Sequence, residues 1–483
     1  MSYIVYTGLA IVAAVAYYGY QAYKVPKELE HLPVVSFVKY LAATVAGESF
    51  EKKFERLYCD IMKKGLGARM WTQGRWEVHI TDWAQTKDIL YRTDDFLKRE
   101  DSDINSSMLF TKYFGKSNII FSDGDVWRRH RRVANPAFKK TWSTEMLQGC
   151  ADELIQHLEE RSGETIDVQL VLERLALDVL GRAMFSYDFE AVKKGESSKY
   201  LSLYLDLAVS MFNPAYIFMP VLERLIPSRK IVHNKNDEFR DFLKGIIQKG
   251  RSDIEAGIER DDLLSLMIHA SIDDCTLTDE EVVNDLAAFF FAGHDTTANT
   301  LATIIYFLSL HPEMQAKARN EVKSVLNLPP SEQIKNMSYL NCIMRESMRI
   351  ITTVPVLHRY CPKTTTLPGN LVIPGGNFVS IQSWALNHDP NVFPDPYTFN
   401  PERFADPQGI QAQKAMAFGG GSRMCIGLNF SLIVQRVIMS SLLQKFEFRR
   451  GPNCGQADFP TLSTAGLIYP INTDIEFIKL NAS

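Results

Sequence analysis

The stretch from Thr278 to Pro312 constrains this chain more than any other. It carries an unbroken helical pattern of roughly 33 residues, where the usual globular helix has about 11–12. Thr278 with Glu281 reads as a T-x-x-E capping box at its start, and Pro312 closes it. A helix that long crosses the middle of a large α-rich domain, and 483 residues are enough to build one around it. At its centre lies Ala292-Gly293-His294-Asp295-Thr296-Thr297, preceded by Phe289-Phe290-Phe291. Gly293 costs about 1 kcal/mol in a helix interior. Thr296 can bond back to a carbonyl and bend the helix. Taken alone, the segment is as well explained by a structural kink as by a site.

Most of the remaining pattern is helical. Ala151–Glu160, Val168–Met184, Tyr200–Phe212 and Asn236–Gly250 repeat their apolar positions at helical spacing. Asp60–Ile89 reads as helix, two β-like runs (Ala68–Trp71 and Trp76–Ile80, with Gly74 at the turn) and helix. Ile104–Ile120 has no clear period and is expected to be an apolar loop. Leu367–Ile381 is β-like, Asn387–Pro401 is a proline-rich meander, and Leu462–Ile478 returns to short strands. The expected class is mainly α with small β-sheets.

Composition excludes several functions. A net charge of −4 argues against a general nucleic-acid binder. The seven cysteines are scattered and form no C-x-x-C pair, so neither a zinc site nor a disulfide framework is signalled. Reduced thiols in a cytosol-facing domain fit this usage.

One cysteine differs from the rest. Phe418 to Gly427 reads F-G-G-G-S-R-M-C-I-G, followed by the apolar Leu428, Phe430, Leu432 and Ile433. Glycines allow positive φ and close backbone approach to a ligand. A thiolate is a soft ligand, and haem iron is a centre that a lone cysteine can serve as sole protein ligand. Arg423 could meet an anionic carboxylate such as a haem propionate. A glycine-rich turn with an inert cysteine is the commoner meaning of such a loop. Three further patterns precede it: W-R-R-H-R-R at 127–132, E-x-x-R at Glu346 and Arg349, and P-E-R-F at 401–404. Each is weak alone; a charge run is usually a solvated helix face, and E-x-x-R a surface ion pair.

In order, W-x-x-x-R, A-G-x-D-T-T, E-x-x-R, P-E-R-F and F-x-x-G-x-R-x-C-x-G resemble the cytochrome P-450 monooxygenases across nearly all of the chain after its first residues. The resemblance implies a triangular single domain at residues 36–483 with haem b between two helices. Cys425 resembles the metal-ligating thiolate, with Phe418 and Gly427 flanking it. Glu346, Arg349 and Arg403 resemble the buried triad on the cysteine side. Trp127, Arg131, Arg359 and Arg423 resemble the propionate contacts. Asp295 and Thr296 resemble the acid–alcohol pair at the O2 site. A thiolate favours O–O cleavage, which consumes protons that such a pair can relay. Rearranging haem-thiolate enzymes of the family often lack this threonine, so its presence favours true monooxygenation. By position Phe110, Phe291, Ala292, Thr353, Val354 and Leu467 resemble pocket residues. They are mostly apolar and no ionic anchor is evident, which implies a steroid, fatty acid, terpenoid or xenobiotic.

Tyr3–Tyr23 is free of charged side chains and long enough to span a bilayer, with tyrosines crowded at one end and Lys24 and Lys27 beyond. Ala14-Val15-Ala16 would suit a cleavage site, but no basic region precedes the run. The expectation is an anchor at 1–23, a hinge at 24–35 with Pro26 and Pro33, and a body facing the cytosol. The resemblance is to the eukaryotic, microsomal type anchored in the endoplasmic reticulum, and in general character to fungal members. It implies electrons from NADPH through a separate cytochrome P-450 reductase, with cytochrome b5 a second candidate donor. Arg128, Arg129 and Arg132 are expected to face that donor, away from Trp127 and Arg131. Two other functions share the cysteine stretch: isomerisation or dehydration at a haem-thiolate, and lipid or gas binding without turnover.

Overall fold

The computed structural model describes residues 24–480 except 63–66, 73, 100–107, 141, 196–198, 214–215, 217–221, 259, 261, 273–275, 455–457 and 465. The expected anchor at 1–23 lies outside the described residues, as do the start of the 104–120 loop, most of 214–221 and Ala465. Among the described residues no helix is long and apolar enough to cross a membrane.

The described part of the chain opens with residues 24–35, read as a hinge, lying against the sheet. Leu29 and Leu32 are buried there, and Val35 N–H donates to Arg69 O at 2.9 Å. Helices α1 (Phe37–Val45) and α2 (Phe50–Met62) follow, then strands β1 (Ala68–Thr72) and β2 (Arg75–Ile80) and helix α3 (Trp83–Tyr91). The expected 104–120 loop instead contains a short helix, α4 (Leu109–Phe114). Leu109, Tyr113 and Phe114 are buried on one face, a pattern too short to establish a helical period in sequence.

Helices α5 (Gly124–Lys139) and α6 (Thr144–Glu160), strand β3 (Thr165–Asp167) and helix α7 (Val168–Met184) come next. They are followed by α8 (Lys199–Met211), α9 (Arg229–Glu255) and α10 (Leu263–Ile272). The long pattern is one continuous helix, α11 (Asp279–Leu310), which packs along α7 and is buried around most of its circumference. Gly293 has a packing reason: a Cβ there would sit 2.7 Å from Leu180 Cδ1 of α7. After α12 (Pro312–Val325) and α13 (Ser338–Ile350) the chain turns to β4 (Leu357–Cys361), β5 (Thr365–Leu367), β6 (Leu371–Ile373) and β7 (Asn377–Ile381). Helix α14 (Leu428–Lys445) leads into β8 (Phe446–Arg450) and, at the end, β9 (Asp474–Lys479).

The sheets are small. One has the order β1-β2-β7-β4, with only β2 and β7 parallel; the others are β3-β9-β8 and the β5-β6 pair. They lie at the edges of a core whose centre is helical.

The capping box forms as expected. Thr278 N–H donates to Glu281 Oε2 at 2.9 Å, and Glu281 N–H to Thr278 Oγ1 at 3.2 Å. Glu281 does more than cap. Arg129 of α5 grips it through two bonds of 2.7 and 2.8 Å, and Ser117 donates to it at 2.8 Å. Burial would raise this carboxyl, but the bonds from Arg129, Thr278 N–H and Ser117 hold it well below the carboxylate range. Thr278→Ala should lower the unfolding free energy by about 1 kcal/mol, read as a shift of the urea midpoint. No measurable shift would mean that Arg129 alone fixes this helix end.

Candidate active site

The cysteine side is held by ions buried far from water. Glu346 and Arg349, one turn apart on α13, are fully buried and joined by bonds of 2.7 and 2.8 Å. Arg349 also donates to Asn387 O at 2.9 Å and Pro396 O at 2.8 Å, and Asn400 N–H donates to Glu346 at 2.9 Å. Arg403 approaches the same carboxylate at 3.4 Å, a charge contact rather than an aligned hydrogen bond, while its Nη2 donates to Asp395 O at 2.9 Å. The expected triad is therefore assembled, and it staples the proline-rich meander to α13. Asn387 extends it: its Oδ1 accepts from Met416 N–H at 2.7 Å, two residues before Phe418. No sequence pattern marked Asn387.

Phe418 O accepts from Cys425 N–H at 3.0 Å, closing the glycine loop. Gly421, at φ +65°, has no room for a Cβ, which would lie 2.2 Å from Leu90 O. Cys425 is accessible on its surface yet lies in dense surroundings. Burial raises its thiol, while the N–H groups of Gly427 and Leu428 and the charge of Arg131 favour the thiolate. Gly427 thus acts on the sulfur as a donor through its backbone N–H.

Helix α5 places Trp127 and Arg131 one turn apart on the same side. Arg131 Nη2 donates to Met424 O at 3.0 Å, and the Arg423 guanidinium lies 4.0 Å from the centre of the Trp127 ring. Arg423 Nη2 bonds Asp123 Oδ1 at 2.6 Å and Ser122 O at 2.7 Å, but its buried Nη1 has no partner. Arg359 is buried and donates to the backbone of His358. Burial pulls the guanidiniums of Arg359 and Arg423 down to about 10, with Asp123 opposing in both cases. Lys98 joins them, its ammonium pushed far below its ordinary value by burial and by Arg359 and Arg423. Four expected residues thus meet, with Lys98 as a fifth. Arg359, Arg423 and Lys98 share the single carboxylate of Asp123.

On the other side, Thr296 Oγ1 donates to Ala292 O at 2.8 Å, the back-bond expected for it. Asp295 accepts from Tyr204 OH at 2.7 Å and lies 2.6 Å from His294 Nδ1. Burial opposes a charge on His294, yet Asp295 beside it raises its pKa. Burial, then Asp295, pushes the Tyr204 hydroxyl far up. Phe291 packs on Phe114 and stacks on Phe212, which also meets Phe110, at centroid distances of 5.3, 5.5 and 6.3 Å. Thr353 O accepts from Ile468 N–H at 2.8 Å, beside Leu467. Phe212 lies near Gly466 and so joins that turn to the aromatic group.

The family model described as Cytochrome P450 matches residues 45–473. The chain belongs to the cytochrome P450 family. Similar proteins include 11-oxo-beta-amyrin 30-oxidase of Glycyrrhiza uralensis, 30% identical over 426 residues, 83% of this chain and 78% of that one. Cytochrome P450 4F8 of Homo sapiens is 29% identical over 359 residues, 68% of each chain. Cytochrome P450 3A2 of Rattus norvegicus is 29% identical over 378 residues, 74% of each. As a cytochrome P450 the protein is an oxidoreductase, a monooxygenase that uses haem b, O2 and electrons from a redox partner. Its residues fit that cofactor: a thiol with two N–H groups on its sulfur, and a buried guanidinium nitrogen still lacking an acceptor. Among the described residues no three His, Cys, Asp or Glu side chains gather as an alternative metal site.

One expectation changes. Arg129 is bound to Glu281 and does not belong with Arg128 and Arg132, which are exposed. A separate cavity, lined by none of the six predicted pocket residues, holds a cation. This cavity, of about 410 Å³ between α1, α2 and the β1-β2-β7-β4 sheet, includes Lys53, Tyr40, Thr44 and Glu77 in its lining, with Phe212 at one wall. Lys53 sits on the apolar face of α2, where its neighbours Phe50 and Phe54 gave no sign of a cavity.

Arg349→Met should destabilise the protein by about 3–5 kcal/mol, because it leaves Glu346 buried without its partner. Chemical unfolding at neutral pH measures this. A loss below about 1 kcal/mol would show that Arg403 and Asn400 suffice for Glu346.

Proposed function

We propose that this cytochrome P450 hydroxylates a hydrophobic small molecule, with Cys425 as the iron ligand and electrons drawn from NADPH through a separate flavoprotein reductase. The observation that carries the assignment is the glycine loop closed by Cys425 N–H on Phe418 O, which sets the sulfur beside Arg131 and the Gly427 and Leu428 N–H groups. Haem b supplies the iron at which O2 is reduced. The chain's own residues do the rest. Trp127, Arg131, Arg359 and Arg423, with Lys98, would hold the propionates, which would offer Arg423 Nη1 the acceptor it lacks. Glu346, Arg349 and Arg403 keep the cysteine loop in place through Asn387.

Thr296 donates to Ala292 O and keeps its oxygen lone pairs available to a water in the helix groove. Asp295, held by Tyr204 and His294, is the acid that replenishes that water's proton. Phe110, Phe291, Ala292, Thr353, Val354 and Leu467 surround the substrate and exclude bulk water. Exposed Arg128 and Arg132 on α5 offer positive charge to an acidic donor. Residues 1–23 anchor the protein in the endoplasmic-reticulum membrane, with residues 24–35 leading to the catalytic body on the cytosolic side.

Cys425→Ser should abolish the strongly red-shifted Soret band of the reduced carbon-monoxide complex; an unchanged band would move the iron ligand elsewhere. Thr296→Ala should keep NADPH oxidation running while product falls and hydrogen peroxide rises. Unaltered product per NADPH would remove Thr296 from proton delivery.

A further inference from the structure

Lysine is almost never fully buried unless it is paired with an anion. Lys53 is 1% exposed. Its ammonium donates to Thr44 Oγ1 at 2.9 Å and to Thr464 O at 2.6 Å, and lies 4.6 Å from the centre of the Tyr40 ring. Among the described residues no carboxylate comes within ion-pair distance of it. Glu48, the acid nearest in effect, is committed to Arg56 through bonds of 2.6 and 3.2 Å. Burial pulls Lys53 down to about 8, so at neutral pH it is still mostly a cation. An ammonium has three donors, and two are used.

The other charge on the cavity wall is already matched. Glu77 lies 3.2 Å from His358 Nδ1 and 3.8 Å from His79 Nε2. Tyr58 OH lies 3.0 Å from His79 Nδ1. The rest of the lining is largely apolar: Phe50, Phe54, Met70, Val356 and Phe378 contribute to it. The cavity also adjoins the aromatic group above the cysteine side. Phe212 lines it and stacks on Phe291 at 5.5 Å and 27°.

We propose that Lys53 anchors the carboxylate of an amphiphilic acid, a long-chain fatty acid, whose hydrocarbon chain lies along this apolar wall and passes Phe212 toward Phe291. The proposal rests on the monooxygenase reading and names its substrate class. A single negative charge completes the third donor and neutralises Lys53. A phosphate monoester, of higher charge, would instead bring excess negative charge beside Glu77. A neutral steroid or terpenoid would leave the ammonium unpaired.

The test is an absorption titration of the haem-loaded protein with hexadecanoic acid and with its methyl ester, following the Soret shift. The wild type should bind the acid more tightly. Lys53→Met should weaken acid binding about ten- to a hundredfold, the worth of a hydrogen bond to a charged group, and leave the ester unchanged. Lys53→Arg should restore the acid preference. Equal weakening of acid and ester in Lys53→Met, or no weakening of either, overturns the proposal, as does a wild type that binds the ester as well as the acid or binds neither. If Lys53→Met does not retain haem, the wild-type preference and the Lys53→Arg titration decide the matter by the same criteria. The reduced carbon-monoxide band of the wild type is recorded alongside. Its absence overturns the haem-thiolate reading itself, while its presence with no acid preference overturns only the role of Lys53.

Discussion

A carboxylate and a guanidinium taken fully out of water each carry a desolvation cost of several kcal/mol, which only dense hydrogen bonding offsets. Glu346 and Arg349 meet that condition, because every polar neighbour they recruit belongs to a different part of the chain. Arg349 takes the carbonyls of Asn387 and Pro396, and Glu346 takes the amide of Asn400. Satisfying the pair therefore fixes the meander, and Asn387 passes the constraint to Met416 at the mouth of the cysteine loop. The position of Cys425 follows from this chain of bonds. Its loop is too rich in glycine to hold its own shape.

Charge is unevenly placed around that loop. Arg359, Arg423 and Lys98 have Asp123 as their opposite charge, while Arg131 lies beside Cys425. One buried donor there, Arg423 Nη1, has no acceptor. On the far side of α11 the balance is different. Asp295 there is bonded to the buried Tyr204 and His294. Thr296 stands next to it along the helix, its hydroxyl tied to the backbone.

The same logic applies at a distance in the cavity beside α2. A buried cation with a hydroxyl, a carbonyl and an aromatic face around it is stable enough to fold, yet selective about what it admits. Phe212 lines this cavity and stacks on Phe291, so the two places share one aromatic wall.

The sequence by itself determined what depends on near neighbours along the chain. Helical period and a capping box specified α11 almost to the residue, and α7 likewise, because the interactions involved span three or four positions. Helical phase likewise put Trp127 and Arg131 on one face, and the family motifs named Cys425, Glu346 and Arg349. The tertiary structure alone decided which distant groups would meet. Lys53 bonds Thr464 across 411 positions, Arg129 bonds Glu281 across 152, and Tyr204 bonds Asp295 across 91. Helical period assigns such a residue a face but no partner. Its burial and its partner follow only from how the helices pack.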